Sequence, residues 1–217
     1  MVDMLIKGGP VMIPLLLCSV LALAITFERI YYLWRTRTDP ERALQAVTLA
    51  LEHGRIGDAI AAVEKFRGQI GSLMSAALVS YGKERDEIEA AMRAAGEKEV
   101  YKMEKRVSVL DMLVTISPLL GLLGTVTGII KSFKVLATSP QILDPGQLSA
   151  GIAEALITTA AGLIIAVPTL AFHTYIVGII DRRILEMDEF SNDLLDILAS
   201  EVKRDEVPSQ LQKEASN

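Results

Sequence analysis

One cysteine, Cys18, stands in 217 residues, so no disulfide can form within the chain and the redox compartment cannot be read from it. Cys18 lies in an apolar run and reads as a small apolar residue. Nucleophile elbows, phosphate-binding glycine loops and clusters of metal ligands are all missing, and His53 and His173 each stand alone. An intramembrane hydrolase would need a nucleophile paired with a base, and no such pair is seen. An enzyme is therefore not expected, and neither is a metal or a cofactor. Charge is missing from long stretches: Val11 to Phe27 and Ala155 to Ile180 contain no Asp, Glu, Lys or Arg, and Val109 to Ile130 contains only Asp111.

With 51% hydrophobic residues and a mean hydropathy of +0.37, the chain is more apolar than one soluble core of this length requires. The charged 23% crowds between the apolar tracts, as in a membrane protein, so the net charge of -5 says little about partners. The first tract is short for a span. It is closed by Glu28 and Arg29, then by Tyr31, Tyr32, Trp34, Arg35 and Arg37, an aromatic belt with basic residues beyond it. No small-residue cleavage site follows, so it reads as an anchor. The expected fold is all-α: three membrane spans, with long helices extending into a cytoplasmic helical domain.

The organisation expected is an external N-terminus and first span over 1–37, a cytoplasmic helical domain over 38–108 and a second span over 109–137. A short external loop over 138–144, a third span over 145–181, a cytoplasmic helix extension over 182–202 and a disordered polar tail over 203–217 complete it. Asp39-Pro40 and Asp144-Pro145 read as helix starts, and Gly54 as a stop. Asp86 with Glu89 has the spacing of a capping box. Ile88, Met92, Met103, Val107 and Leu110 recur at near-helical spacing with no proline before Pro118. One helix from Asp86 to Ala137 is expected, 52 residues and about 78 Å long. Ile184, Met187, Leu194 and Leu198 extend the apolar stripe beyond the third span and are placed to pack on that stem.

The second and third spans concentrate small residues. Gly121, Gly124, Gly128, Gly151 and Gly162 let helices approach closely in lipid, and Pro118 and Pro168 read as kinks. Glu154 is more informative, because a carboxylate in a span costs a few kcal/mol and seldom persists without a role or partner. It falls about 14 Å along its helix from Pro145, while Lys131 and Lys134 lie about 9 Å and 5 Å back from Ala137. Two readings stay open: an ion pathway, or an ion pair with a snorkelling lysine. Thr125 and Thr159 fall at similar depth. Their hydroxyls either line a pore or bond their own helix one turn back. His173, about 28 Å from Glu154, reads as a polar interfacial anchor.

These residues resemble the MotA/TolQ/ExbB proton-channel family, its ExbB-like branch most closely. The strings that carry the resemblance are Gly8-Gly-Pro-Val-Met-Ile-Pro14, Glu28-Arg29, Ser117-Pro-Leu-Leu-Gly-Leu-Leu-Gly-Thr-Val126 and Gly151-Ile-Ala-Glu-Ala-Leu156, in the order and topology of the family. The resemblance implies a homopentamer around an ExbD-like single-span partner, driving a TonB-like protein from the proton motive force in a bacterial inner membrane. It places Glu154, Thr125 and Thr159 at the family's functional glutamate and pore threonines. With all three turned inward, the second and third spans line the cavity and the first faces lipid. Lipid and these proteins are the partners implied, without nucleic acid; the client, whether TonB or Tol, and the choice of proton or sodium stay open. Lys131 and Lys134 stand outside the motif. A TolQ-like subunit of envelope maintenance and a passive membrane scaffold are the competing readings.

Basic residues set the orientation. Fourteen lie between Thr26 and Ser108, five follow Ile180, one precedes the first span, and none lies between Thr138 and Gly146. The N-terminus should be periplasmic and the C-terminus cytoplasmic. In a background lacking Cys18, a cysteine at Gln141 should therefore react with an impermeant reagent in intact cells, and one at Gly68 should not. The reverse pattern would invert the topology.

Overall fold

The computed structural model describes residues 8–52, 57, 61, 63, 66–138 and 145–214, with side chains at all of these except 51, 52, 135–138, 145, 147 and 201–214. The regular elements are helices: α1 (Met12–Arg35), α2 (Pro40–Glu52), α3 (Gln69–Val79), α4 (Arg85–Glu104), α5 (Val107–Thr138) and α6 (Pro145–Glu214). No strand occurs among the described residues. Helices α1, α5 and α6 are each long and apolar enough to cross a membrane. A helix satisfies its own N–H and C=O groups, which is the condition for exposing backbone to hydrocarbon. The chain is thus a helical, multi-pass membrane protein. The sequence reading ends the last helix near Glu201; helical backbone continues to Glu214, through residues such as Lys203, Arg204 and Glu206 that favour helix.

Two compact units can be distinguished, Met1–Ile30 with Arg106–Val177, and Tyr31–Lys105 with Gly178–Asn217. In the first, α5 and α6 run antiparallel in close contact, and the start of α1 lies beside them. Val11, Met12 and Leu15 are buried and pack with Leu120 of α5 and Ala161 and Ile165 of α6. The outer faces stay apolar and exposed, with Leu17 at 58%, Leu122 at 58% and Ile164 at 70%. Such contiguous apolar surface belongs against lipid or another chain rather than water. At the far end of this part of α1, Arg29 is buried and its Nε donates to Glu28 Oε2 at 2.7 Å, while Arg106 Nη1 reaches the same carboxylate at 3.3 Å.

The second unit buries Leu33, Val47, Leu73, Met74, Met92 and Leu194. Met187 of α6 packs toward Gly96 of α4, where an added Cβ would meet its Cε at 3.4 Å, and Arg85 pairs with Asp196 at 2.9 Å. The stripe of α6 beyond the third apolar tract does pack on α4. Glu99 is buried at the α3–α4 contact and accepts from Ser72 Oγ at 2.9 Å and Lys102 Nζ at 2.6 Å. That hydrogen bond, ahead of the opposing effect of burial, raises the pKa of Lys102. The start of α2 follows its sequence signal, since the Glu41 N–H donates to Asp39 Oδ1 at 3.2 Å. Gly54, His53 and Asp144 lie outside the described residues.

Two local expectations are corrected. The capping box at Asp86 does not form: Glu84 is the N-cap without a side-chain bond, and Glu89 instead accepts from Arg93 one turn on at 2.9 Å. The 52-residue helix is also interrupted. Lys105 leaves helical geometry with ψ 128, and Arg106 takes φ +68 before its carbonyl opens α5 by accepting from Val109 and Leu110. A non-glycine residue in the left-handed region is strained, and the Glu28 pairing is what Arg106 gains there.

Arg183 closes the end of α1. Its Nη2 donates to the Leu33 carbonyl at 2.6 Å and its Nη1 to the Thr36 carbonyl at 3.2 Å, satisfying groups that a helix terminus leaves open. With the Gln69 amide oriented to suit both neighbours, its nitrogen donates to Thr36 O at 3.0 Å and its oxygen accepts from Arg183 at 2.7 Å. Burial lowers the Arg183 pKa, though not to where a guanidinium loses its charge. Gly68 has φ +80 and room for no Cβ, which would come within 2.6 Å of Thr36 O, so Ser75, exposed on α3, is the better inner labelling position. Arg183→Met should keep the stem, remove the donors and cost about 2 kcal/mol. Thermal unfolding in detergent would register this as a lower Tm that Arg183→Lys restores only in part. An unchanged Tm would show that the cap contributes nothing.

Candidate functional site: a carboxylate beside closely packed spans

The site is built on the α5–α6 contact. Small residues meet in antiparallel order: a Cβ at Gly162 would lie 2.6 Å from Ser117 O, one at Gly121 3.1 Å from Thr159 Cα, one at Gly124 2.5 Å from Thr158 Cβ, and one at Gly128 2.8 Å from Gly151 O. A Cβ at Gly151 would overlap Ser132 Oγ. All five glycines of the sequence reading therefore lie at this one contact. In lipid, where no hydrophobic force draws helices together, such approach supplies the van der Waals contact that holds them. Pro118 and Pro168 both lie inside continuous helix, partly buried and exposed respectively.

The hydroxyls along the contact mostly bond their own helix. Ser117 donates to Leu113 O at 2.7 Å, Thr158 to Glu154 O at 2.8 Å and Thr169 to Ile165 O at 2.6 Å. Thr125 does the same, to Leu122 O at 2.6 Å, which matches the bland reading of that residue. Thr159 differs: its hydroxyl donates across the contact to Gly121 O at 3.0 Å. The two threonines do not bond one another, but Thr159 joins α5 one turn from Thr125.

Glu154 sits at the other flank. Its side chain is 16% exposed, and Lys131 Nζ lies 2.7 Å from Oε2, so the structure forms one of the two arrangements the sequence left open. Its second oxygen approaches the turn that precedes α1. Gly9 has φ +69, and a Cβ there would overlap Glu154 Oε1. The sequence alone assigns Gly9 no role; two glycines before a proline at the head of a span are its sign of a close approach. Because Glu154 and Thr159 are five residues apart, at about 100° per residue they leave α6 about 140° apart. Glu154 therefore points toward α1 and Thr159 away from it. The two side chains thus leave α6 on different flanks of the single chain. Lys134 is exposed near the end of α5, and His173 is half-buried in α6.

The described residues hold no group of three or more His, Cys, Asp or Glu placed to bind a metal. What the site does hold is one carboxylate, one ammonium and interhelical hydroxyls in an otherwise apolar pair of spans. Such groups can bind, orient or release a proton or small cation.

The MotA/TolQ/ExbB proton channel family matches this chain over residues 64–189, which include the whole α5–α6 contact and Glu154. A putative biopolymer transport protein ExbB-like 1 from Synechocystis is 33% identical over 193 residues, 88% of this chain and 75% of the relative. The biopolymer transport protein exbB1 of Vibrio cholerae is 28% identical over 182 residues, 82% of this chain and 80% of its own length. The Tol-Pal system protein TolQ of Pseudomonas aeruginosa is 45% identical, but over only 80 residues, 37% of this chain and 34% of that protein. With a match covering more than half its length and a relative of this similarity aligned along most of both chains, the protein belongs to the MotA/TolQ/ExbB proton channel family.

Proposed function

We propose that this chain is the ExbB-like ring subunit of a motor driven by the proton motive force. In this reading it forms a homopentamer in a bacterial inner membrane around an ExbD-like single-span partner and energises a TonB-like protein. Its N-terminus is periplasmic and its C-terminus cytoplasmic. The observation that supports it most is Glu154, a mostly buried carboxylate within the closely packed spans of a proton-channel family member. A passive scaffold has no use for such a group, whose burial is costly. The flank of Thr125 and Thr159, turned away from α1, faces the central cavity. Glu154 stands behind it, so that protons cross the helix pair rather than follow one open face.

The TolQ-like reading has its own support, since the relatives of that name reach 41% and 45% identity. Both stretches cover only 37% of this chain, whereas the ExbB relatives align along most of it, so the ExbB-like client is preferred.

Glu154→Gln nearly keeps volume and removes charge. It should leave the protein inserted and oligomeric while reducing energy-dependent uptake to background. Normal uptake at normal expression would take Glu154 out of the pathway and leave its ion pair with Lys131 as structure alone.

Thr159→Val separates packing from transport. Gly121 O keeps its own helix partner, so losing the interhelical hydroxyl should cost only about 0.6 kcal/mol of stability. Loss of transport beyond what that small destabilisation explains would place the hydroxyl in the pathway. Full transport would confine it to holding the two helices together.

A further inference from the structure

Gly9 and Lys131 come from segments far apart in the chain, and both converge on the Glu154 carboxylate. Lys131 reaches Oε2 at 2.7 Å, and the space a Cβ of Gly9 would fill is occupied by Oε1. The turn that brings Gly9 there is ordered by the head of α1: the Met12 N–H donates to Gly9 O and the Ile13 N–H to Pro10 O, each at 3.2 Å. Val11, Met12 and Leu15 anchor that head against Leu120 of α5 and against Ala161 and Ile165, about two and three turns of α6 beyond Glu154. Gly9 also has φ +69, so any other residue would both strain the turn and push the carboxylate aside. Lys131 keeps most of its side chain exposed, at 65%, whereas Glu154 is 16% exposed. The lysine thus spans from the open side to the covered carboxylate.

We infer that Gly9 and Lys131 are positioning residues that together clamp the Glu154 carboxylate, Lys131 by charge and the Gly9 turn by covering the oxygen that Lys131 does not hold. This rests on the reading of Glu154 as the ion-carrying group. The clamp makes the carboxylate available only when α1's head or Lys131 moves. The first span is then part of the mechanism, not merely an anchor facing lipid. Proton exchange at Glu154 is slowed while Lys131 holds one oxygen and the Gly9 turn covers the other. Access to it is set by two groups, one in the turn before α1 and one on α5, that can be displaced independently.

Reactivity of the carboxyl reads the clamp without reading transport. The purified full-length protein, reconstituted in lipid, is treated with dicyclohexylcarbodiimide, and adduct at the Glu154 peptide is followed by mass spectrometry against time. Wild type should label slowly, and Lys131→Gln roughly tenfold faster or more, the factor for losing one charged hydrogen bond. Gly9→Ala should also label faster, because its methyl group displaces the carboxylate, while Lys131→Arg should stay near wild type. Size-exclusion profiles and circular dichroism identify any variant that misfolds, and Lys131→Gln, a surface-reaching change, carries the test if Gly9→Ala does. Equal labelling rates in wild type, Lys131→Gln and Gly9→Ala would overturn the clamp. If labelling follows the expected order while Glu154→Gln transports normally, the clamp stands and the ion-carrying role falls. If labelling is flat while Glu154→Gln is inactive, the opposite holds.

Discussion

The absence of Cβ atoms along one stripe of α5 is the constraint on which the rest of the first unit depends. Gly121, Gly124 and Gly128 let α6 approach until backbone meets backbone, with Gly128 and Gly162 each within 3 Å of a carbonyl if a Cβ were added. That closeness has two consequences. Thr159 can reach the Gly121 carbonyl directly, and the flank of α6 that carries Glu154 comes near enough to α5 for Lys131 to bridge at 2.7 Å. A larger residue in the stripe would separate the helices and leave a carboxylate in hydrocarbon without its partner, a cost of a few kcal/mol on the lenient scale.

Satisfying polar groups organises the remainder. The hydroxyls of Ser117, Thr125, Thr158 and Thr169 return to their own helices, so they need no neighbour. In the second unit the carbonyls at the end of α1 are met by Arg183, and buried Glu99 is met by Ser72 and Lys102. Both units leave few buried polar side chains to chance; among the described residues none lacks a partner.

The features legible in the sequence are those with a local period or a strong composition. Apolar tracts give spans, small residues four apart give close packing, and a lone carboxylate in a span marks a site. What was not legible depends on groups meeting across the fold. No glycine or proline announces the break at Lys105–Arg106, where φ +68 falls on an arginine and Glu28 supplies the compensating charge. Arg183 reads in sequence as one more basic residue after a span, yet it caps a helix 147 to 150 residues earlier. The capping box does not form because the helix already starts at Glu84, which leaves Asp86 inside the first turn, and Glu89 is held by Arg93. Depth arithmetic placed Glu154, Thr125 and Thr159 along their helices but carried no rotation. The five-residue spacing between Glu154 and Thr159 carries that rotation, about 140° around α6.

One carboxylate, paired with Lys131, on one flank and hydroxyls on the other make an incomplete relay. The chain belongs to a proton channel family, and its spans hold few polar groups, which supports the proposal that a second carboxylate comes from a partner. In the function proposed above, a ring of these chains is one half of a two-component motor. Proton flux into vesicles under an imposed gradient tests it most directly, measured with the ring alone and then with its single-span partner. The account predicts little flux from the ring alone and a large increase when the partner is present; robust flux through the partner-free ring would contradict it.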